Sequence, residues 1–173
     1  PSLITSSPAW STSAGSYTNN SATAPDSSAT ASTLTLSPTS WDLYQNVATE
    51  TGVVYTVGVW VKLGTATNFC IVVNNTSAWN TIGGKSFTSA DGLSTTGWTY
   101  VSYVFTGPAS GNVNLHIGGH SESGVAQQTA GTVYTWNWEF IKQTAEYSLH
   151  TFTANGTFTP TGSGVVEVLV VGG

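Results

Sequence analysis

Val53-Val54-Tyr55-Thr56-Val57-Gly58-Val59-Trp60-Val61-Lys62-Leu63 decides the fold. Its alternation puts Tyr55, Val57, Val59 and Val61 on one face and Thr56, Gly58, Trp60 and Lys62 on the other, the two-residue period of a half-buried strand. The same grammar recurs on both sides. Asn68 to Val73 is an apolar strand. Trp98 to Phe105 sets Val101, Tyr103 and Phe105 against Trp98, Tyr100 and Ser102. Asn112 to Ile117 turns Val113, Leu115 and Ile117 inward and Asn112, Asn114 and His116 outward. Thr132 to Ile141 alternates Tyr134, Trp136, Trp138 and Phe140 with Thr135, Asn137 and Glu139.

Turn chemistry falls between these runs, at Gly83-Gly84, Asp91-Gly92, Gly107-Pro108, Gly111-Asn112 and Gly118-Gly119. Residues 1 to about 40 are rich in Ser, Thr and Ala and punctuated by Pro8, Pro25 and Pro38, which predicts loops and short edge strands. No apolar 3.6-residue period persists for three turns. The expected architecture is all-β, a jelly-roll β-sandwich over residues 1–143, followed by a short β segment of an incomplete module over 144–173. In that tail Thr-Phe-Thr occurs at 151–153 and again at 157–159 around Asn155-Gly156, a two-strand unit, ahead of the Val165–Val171 strand.

Only 6% of the 173 residues are charged, with 3 Lys, no Arg and a net charge of −5. A globular chain usually devotes about a quarter of its residues to charge. Lys62, Lys85 and Lys142 form no basic cluster in sequence, so nucleic acid and anionic membranes are not expected partners. No run approaches a membrane span. The single cysteine, Cys70, rules out an internal disulfide and a multi-thiolate zinc site; amid Phe69, Ile71, Val72 and Val73 it is expected to be buried and inert. Pro1 opens the sequence without a basic and apolar leader, and the chain stops at Val171-Gly172-Gly173, so a segment of a longer polypeptide is expected.

The seven Trp, seven Tyr and six Phe point to aromatic chemistry. The four rings Tyr134, Trp136, Trp138 and Phe140 share one face and are expected in the core. Trp60, Lys62, Trp98, Tyr100, Asn114, His116, Asn137 and Glu139 lie on the opposite sides of their strands and form the candidate sugar site. Aromatic faces stack on pyranose C–H groups while Asn, His and Glu bind hydroxyls, a usual mixture for small-ligand sites. The alternative for these positions is a solvated or subunit-packed face without ligand.

Catalytic signatures are lacking. Gly119-His120-Ser121-Glu122-Ser123 misses the final Gly of G-x-S-x-G and its strand-to-helix setting. Among Asp26, Asp42, Asp91 and Glu139 no two carboxylates share a strand face, as glycoside hydrolysis would need. His116, His120 and Glu122 fall at i, i+4 and i+6, but the intervening glycines signal a turn and no further close ligand follows, so no metal site is assigned. No catalytic residue and no cofactor is expected.

Three blocks carry a family resemblance. Ala24-Pro25-Asp26-Ser27 with Leu34 is the first. Leu43-Tyr44-Gln45-Asn46-Val47, Gly52 and Tyr55-Thr56-Val57-Gly58-Val59-Trp60-Val61-Lys62 make the second. Gly97-Trp98 and Gly131-Thr132-Val133-Tyr134-Thr135-Trp136 make the third. In this order, over residues 3 to 142, they resemble the carbohydrate-binding-module-like jelly-roll domains of bacteriophage tail-fibre and other virion proteins, which are related to modules of bacterial glycoside hydrolases. His150 to Gly173 resembles the start of a glycine-rich phage fibre segment. The resemblance implies a non-enzymatic module on a virion, contacting host surface polysaccharide and other virion proteins. It leaves open a purely structural spacer and a module of a secreted glycoside hydrolase. Related jelly rolls hold structural calcium; Asp26 or Glu139 could contribute, without a complete ligand set. Tail strands lacking a core of their own predict a homotrimer.

Overall fold

A computed structural model describes residues 10–38, 43–76, 80–118 and 124–143. Ten strands follow in chain order: β1 (Ser11–Thr12), β2 (Ser16–Ala22), β3 (Ala31–Leu36), β4 (Leu43–Ala48), β5 (Val54–Leu63), β6 (Phe69–Asn75), β7 (Thr81–Phe87), β8 (Thr99–Thr106), β9 (Asn112–Ile117) and β10 (Gly131–Lys142). They form two five-stranded antiparallel sheets, β1-β4-β9-β6-β7 and β2-β3-β10-β5-β8. The molecule is an all-β jelly-roll β-sandwich, as its strand grammar predicts.

The central strands reach the core by their inward-facing apolar positions. Tyr55, Val57, Val59 and Val61 of β5 meet Phe69, Ile71 and Val73 of β6 and Val113, Leu115 and Ile117 of β9 in one continuous buried cluster. Three rings anchor one end. Tyr55 lies 5.8 Å from Phe105 and 5.4 Å from Phe140, and those two are 5.7 Å apart. The Tyr55 hydroxyl accepts the Glu50 N–H at 2.9 Å, tying the β4–β5 turn to the core. No helix among the described residues is long and apolar enough to cross a membrane.

Three departures from the sequence reading have physical causes. Edge strands before residue 40 are found in β1 and β2, but β3 is interior, between β2 and β10, with Ala31, Leu34 and Leu36 buried. Gly83-Gly84 sits inside β7, not in a turn. The Tyr103 hydroxyl occupies the space a Gly83 Cβ would take, so glycine serves close packing here.

The third departure moves the aromatic strand. Trp136 pairs with Trp60, and the next pairing along is Glu139 with Gly58. Three residues of β10 thus span two of β5, a β-bulge centred on Asn137, whose φ is +52°. The extra residue reverses the faces. Val133 and Thr135 point inward before it, Trp138 and Phe140 after it. Tyr134 and Trp136, expected in the core, lie on the outer face instead. Thr135, which plain alternation sets beside Glu139, is buried, and its Oγ1 accepts from Trp138 Nε1 at 3.4 Å.

Residues 144–173, with the predicted tail strands, lie outside the described residues, as do Asp42, His120 and Glu122.

Candidate functional site

The outer face of the second sheet is built from three central strands. Because the odd residues of β5 are buried, Gly58, Trp60 and Lys62 face outward. Register then sets their neighbours: Trp60 lies between Tyr100 of β8 and Trp136 of β10, and Lys62 opposite Tyr134. Trp98 enters just before β8. The Trp60 and Tyr100 rings meet edge to face, with centroids 5.7 Å apart. The Lys62 ammonium stands 5.5 Å from the Trp98 ring centre and 5.1 Å from that of Tyr134, within cation–π range of both. Trp136 Nε1 donates to Thr30 Oγ1 at 3.0 Å, bringing the β2–β3 turn to the edge of the face.

At the other end sits Glu139, turned outward by the bulge. It accepts from the Tyr100 hydroxyl at 2.9 Å and from Asn137 Nδ2 at 3.4 Å. Burial first, then the Glu139 carboxylate, pushes the Tyr100 phenol up to about 12, so it stays a neutral donor at ordinary pH. The result is a plate of half-exposed rings with an ammonium at one end and a carboxylate at the other.

Six of the eight predicted sugar-site residues therefore share this face: Trp60, Lys62, Trp98, Tyr100, Asn137 and Glu139. Tyr134 and Trp136 complete it. Sequence reasoning missed them because the bulge hides in an unbroken aromatic alternation; Asn137, a residue type that tolerates positive φ, was the one available signal.

The remaining two, Asn114 and His116, are on β9 in the first sheet, across the sandwich. They face away from the core, yet both are buried, at 1% and 2% exposure. His116 stacks on Tyr44 of β4 at 5.9 Å. Asn114 stands between Asn46 and Asn74 and donates to Asn46 Oδ1 at 2.6 Å. Buried Asn114 Oδ1 and Asn74 Oδ1 accept no hydrogen bond. Beside them, the segment after Gly124 straps the sheet: Val125 packs on Cys70 and Val72, and Gln128 bonds Cys70 N and Asn68 O at 3.0 and 2.7 Å. Burial pushes the Cys70 thiol above its ordinary range, in keeping with an inert cysteine.

The described carboxylates are dispersed. Asp26 accepts from Ser28, Glu50 binds Lys142, Asp91 binds Lys85, and Glu139 takes Tyr100. Among the described residues no three His, Cys, Asp or Glu side chains are grouped to hold a metal.

No protein-family model matches the sequence, and no curated sequence does. Solved structures match the fold. The CBM22-1 xylan-binding domain of Paenibacillus barcinonensis Xyn10C superposes with a TM-score of 0.59 at 9% identity, over 84% of this chain and 93% of that one. A CBM4 structure gives 0.51 at 20% identity, over 66% of this chain and 72% of that one. The tandem CBM22-1–CBM22-2 domain of the same Xyn10C gives 0.54 at 10%, over 79% of this chain and 41% of that one. The chain thus has the jelly-roll fold of carbohydrate-binding modules. At these identities the shared property is that fold.

Proposed function

We propose that the protein is a non-catalytic glycan-binding module of a phage fibre or other virion appendage, displayed on the particle surface and contacting host polysaccharide. The observation that carries the binding role is the outer face of the second sheet. There Trp60, Trp98, Tyr134 and Trp136 remain partly open to solvent around Lys62, and Tyr100 is more open still. Rings left open on a sheet face supply stacking surface for pyranoses, and Lys62, Asn137 and Glu139 supply polar contacts around them. The virion setting rests on the sequence resemblance and on the fibre-like segment after residue 150. With it come homotrimeric assembly and other virion proteins as partners. The fold match to a xylan-binding domain supports glycan binding in general and equally favours a second setting, as a module of a secreted glycoside hydrolase.

A glycan array with the isolated protein tests the binding role. Reproducible binding that Trp60→Ala or Tyr100→Ala abolishes, with folding intact, is the expected result. A blank array from a folded protein would replace this reading with a structural spacer. The sequence flanking the chain in its gene separates the two settings: an adjacent hydrolase domain with paired carboxylates would remove the virion.

A further inference from the structure

The three lysines stand in different company. Lys85 pairs with Asp91 at 2.7 Å and Lys142 with Glu50 at 2.6 Å. Lys62 has two ring faces instead, and among the described residues no carboxylate pairs with it. Rings attract an ammonium without neutralising it, and they leave its three N–H donors seeking acceptors. The carboxylate that the register places on the same face is Glu139. Its cross-strand partner, Gly58, lies four residues along β5 from Lys62, about 13 Å at a strand's rise. That backbone separation is longer than the screening length of about 8 Å in physiological salt. Glu139 is moreover already engaged by Tyr100 and Asn137.

From this juxtaposition we propose that the glycan taken by the second sheet's outer face is acidic, with a uronate carboxylate seated on Lys62 between Trp98 and Tyr134. This deepens the glycan-binding reading and rests on it. The polymer runs from Lys62 over Trp60 toward Glu139. Carboxylate to ammonium is a charge-assisted bond of about twice the strength of a neutral one, so the acid group discriminates where a hydroxyl would not. Glu139 repels a second carboxylate at the far end and accepts hydroxyls with its remaining lone pairs, so a neutral sugar is favoured there.

Binding of hyaluronate, alginate and polygalacturonate, each beside its methyl-esterified form, tests this, with xylan and galactan as neutral controls. The expected result is binding to at least one acid polymer, weakened about tenfold or more by esterification, by Lys62→Gln and by added salt. Lys62→Arg should restore it, because the charge stays between the rings. Thermal unfolding of both variants checks that each is folded. If neutral or esterified polymers bind as well as the acids, or Lys62→Gln binds unchanged, the acidic specificity is wrong while the glycan-binding reading stands. If no polymer of either kind binds the folded protein, both fall.

Discussion

Tyr100 reaches across the bare backbone of Gly58 to donate its hydroxyl to Glu139 at 2.9 Å, linking β8 to β10 over the top of β5. The contact exists because position 58 has no Cβ: one placed there would collide with the Tyr100 hydroxyl and ring. Gly58→Ala should therefore cost about 1–3 kcal/mol, the range for overpacking. Tyr100→Ser should cost less, and the double variant should recover most of the Gly58→Ala loss. Denaturant titration of all four proteins checks this; strict additivity would mean that the two positions do not share the space.

The same contact sets an alkaline limit. The Tyr100 phenol is raised to about 12 from an ordinary 10.0, by burial and then by Glu139. The raised group is neutral when folded, so its contribution is intact below the unfolded pKa. Stability is lost as pH rises from about 10 toward 12, where the unfolded chain releases the proton and the folded one keeps it. Phenolate absorbance should show a late-titrating component from Tyr100. Tyr100→Phe should remove that late component; its persistence would assign the lag to another ring.

The bulge gives a third prediction. Asn137 has φ +52°, where β-branched residues are strained. Asn137→Gly should leave stability nearly unchanged, and Asn137→Val should cost about 1–2 kcal/mol. Deleting Asn137 should be far worse, because a one-residue slip turns Trp138 and Phe140 outward while drawing neighbouring residues in. Equilibrium unfolding measures all three. A deletion variant as stable as the parent would show that the strand does not need its extra residue.

The bulge also marks where the sequence stops being readable. Strands β5, β6, β8 and β9 lie within a residue or two of their predicted ranges because β5, β8 and β9 alternate without a break and β6 is a continuous apolar run between turn signals. β10 follows the same pattern in letters only. Asn137 apart, nothing in Tyr134-Thr135-Trp136-Asn137-Trp138 distinguishes a regular strand from a bulged one, since aromatic residues suit a buried and a half-open face alike. The site was legible to the extent that it depends on β5 and β8, as with Trp60, Lys62 and Tyr100. Asn114 and His116 were misgrouped because alternation gives the side of a strand but not which sheet the strand joins. A glycine pair such as Gly83-Gly84 reads as a turn, and it reads identically when Gly83 makes room for Tyr103.

The strap over the first sheet should be a separable source of stability. Gln128 is 1% exposed; its Oε1 accepts from Cys70 N, and its Nε2 donates to Asn68 O and Thr129 O. Gln128→Leu keeps the bulk but strands those backbone groups, at about 1–3 kcal/mol for each one left buried without a partner. The strap then loosens over Cys70, whose thiol donates to Ala126 O at 3.2 Å in the parent. Thiol reagents should therefore modify Cys70 faster in Gln128→Leu while the parent stays slow. Equal, slow modification in both would show that Val125 alone keeps the strap closed.

The last prediction concerns assembly. The Thr-Phe-Thr repeats alternate and Val165–Val171 is a nearly continuous apolar run, both strand signals, yet roughly thirty residues cannot bury a core alone. The sandwich core is already closed between its two sheets by its own strands. Strands with open apolar edges associate unless something covers them, and a closed threefold arrangement of equivalent tails covers every edge without runaway growth. The sandwich surface, with few charged groups, offers little electrostatic repulsion to such close approach. The protein is thus expected to be a homotrimer held through its tail. Light scattering should give three times the chain mass for the full sequence and one for a variant lacking residues 147–173, with the sandwich's thermal unfolding preserved. A truncated protein that remains trimeric would move the interface onto the sandwich, where the uncharged edge strand β8 would be the first place to look.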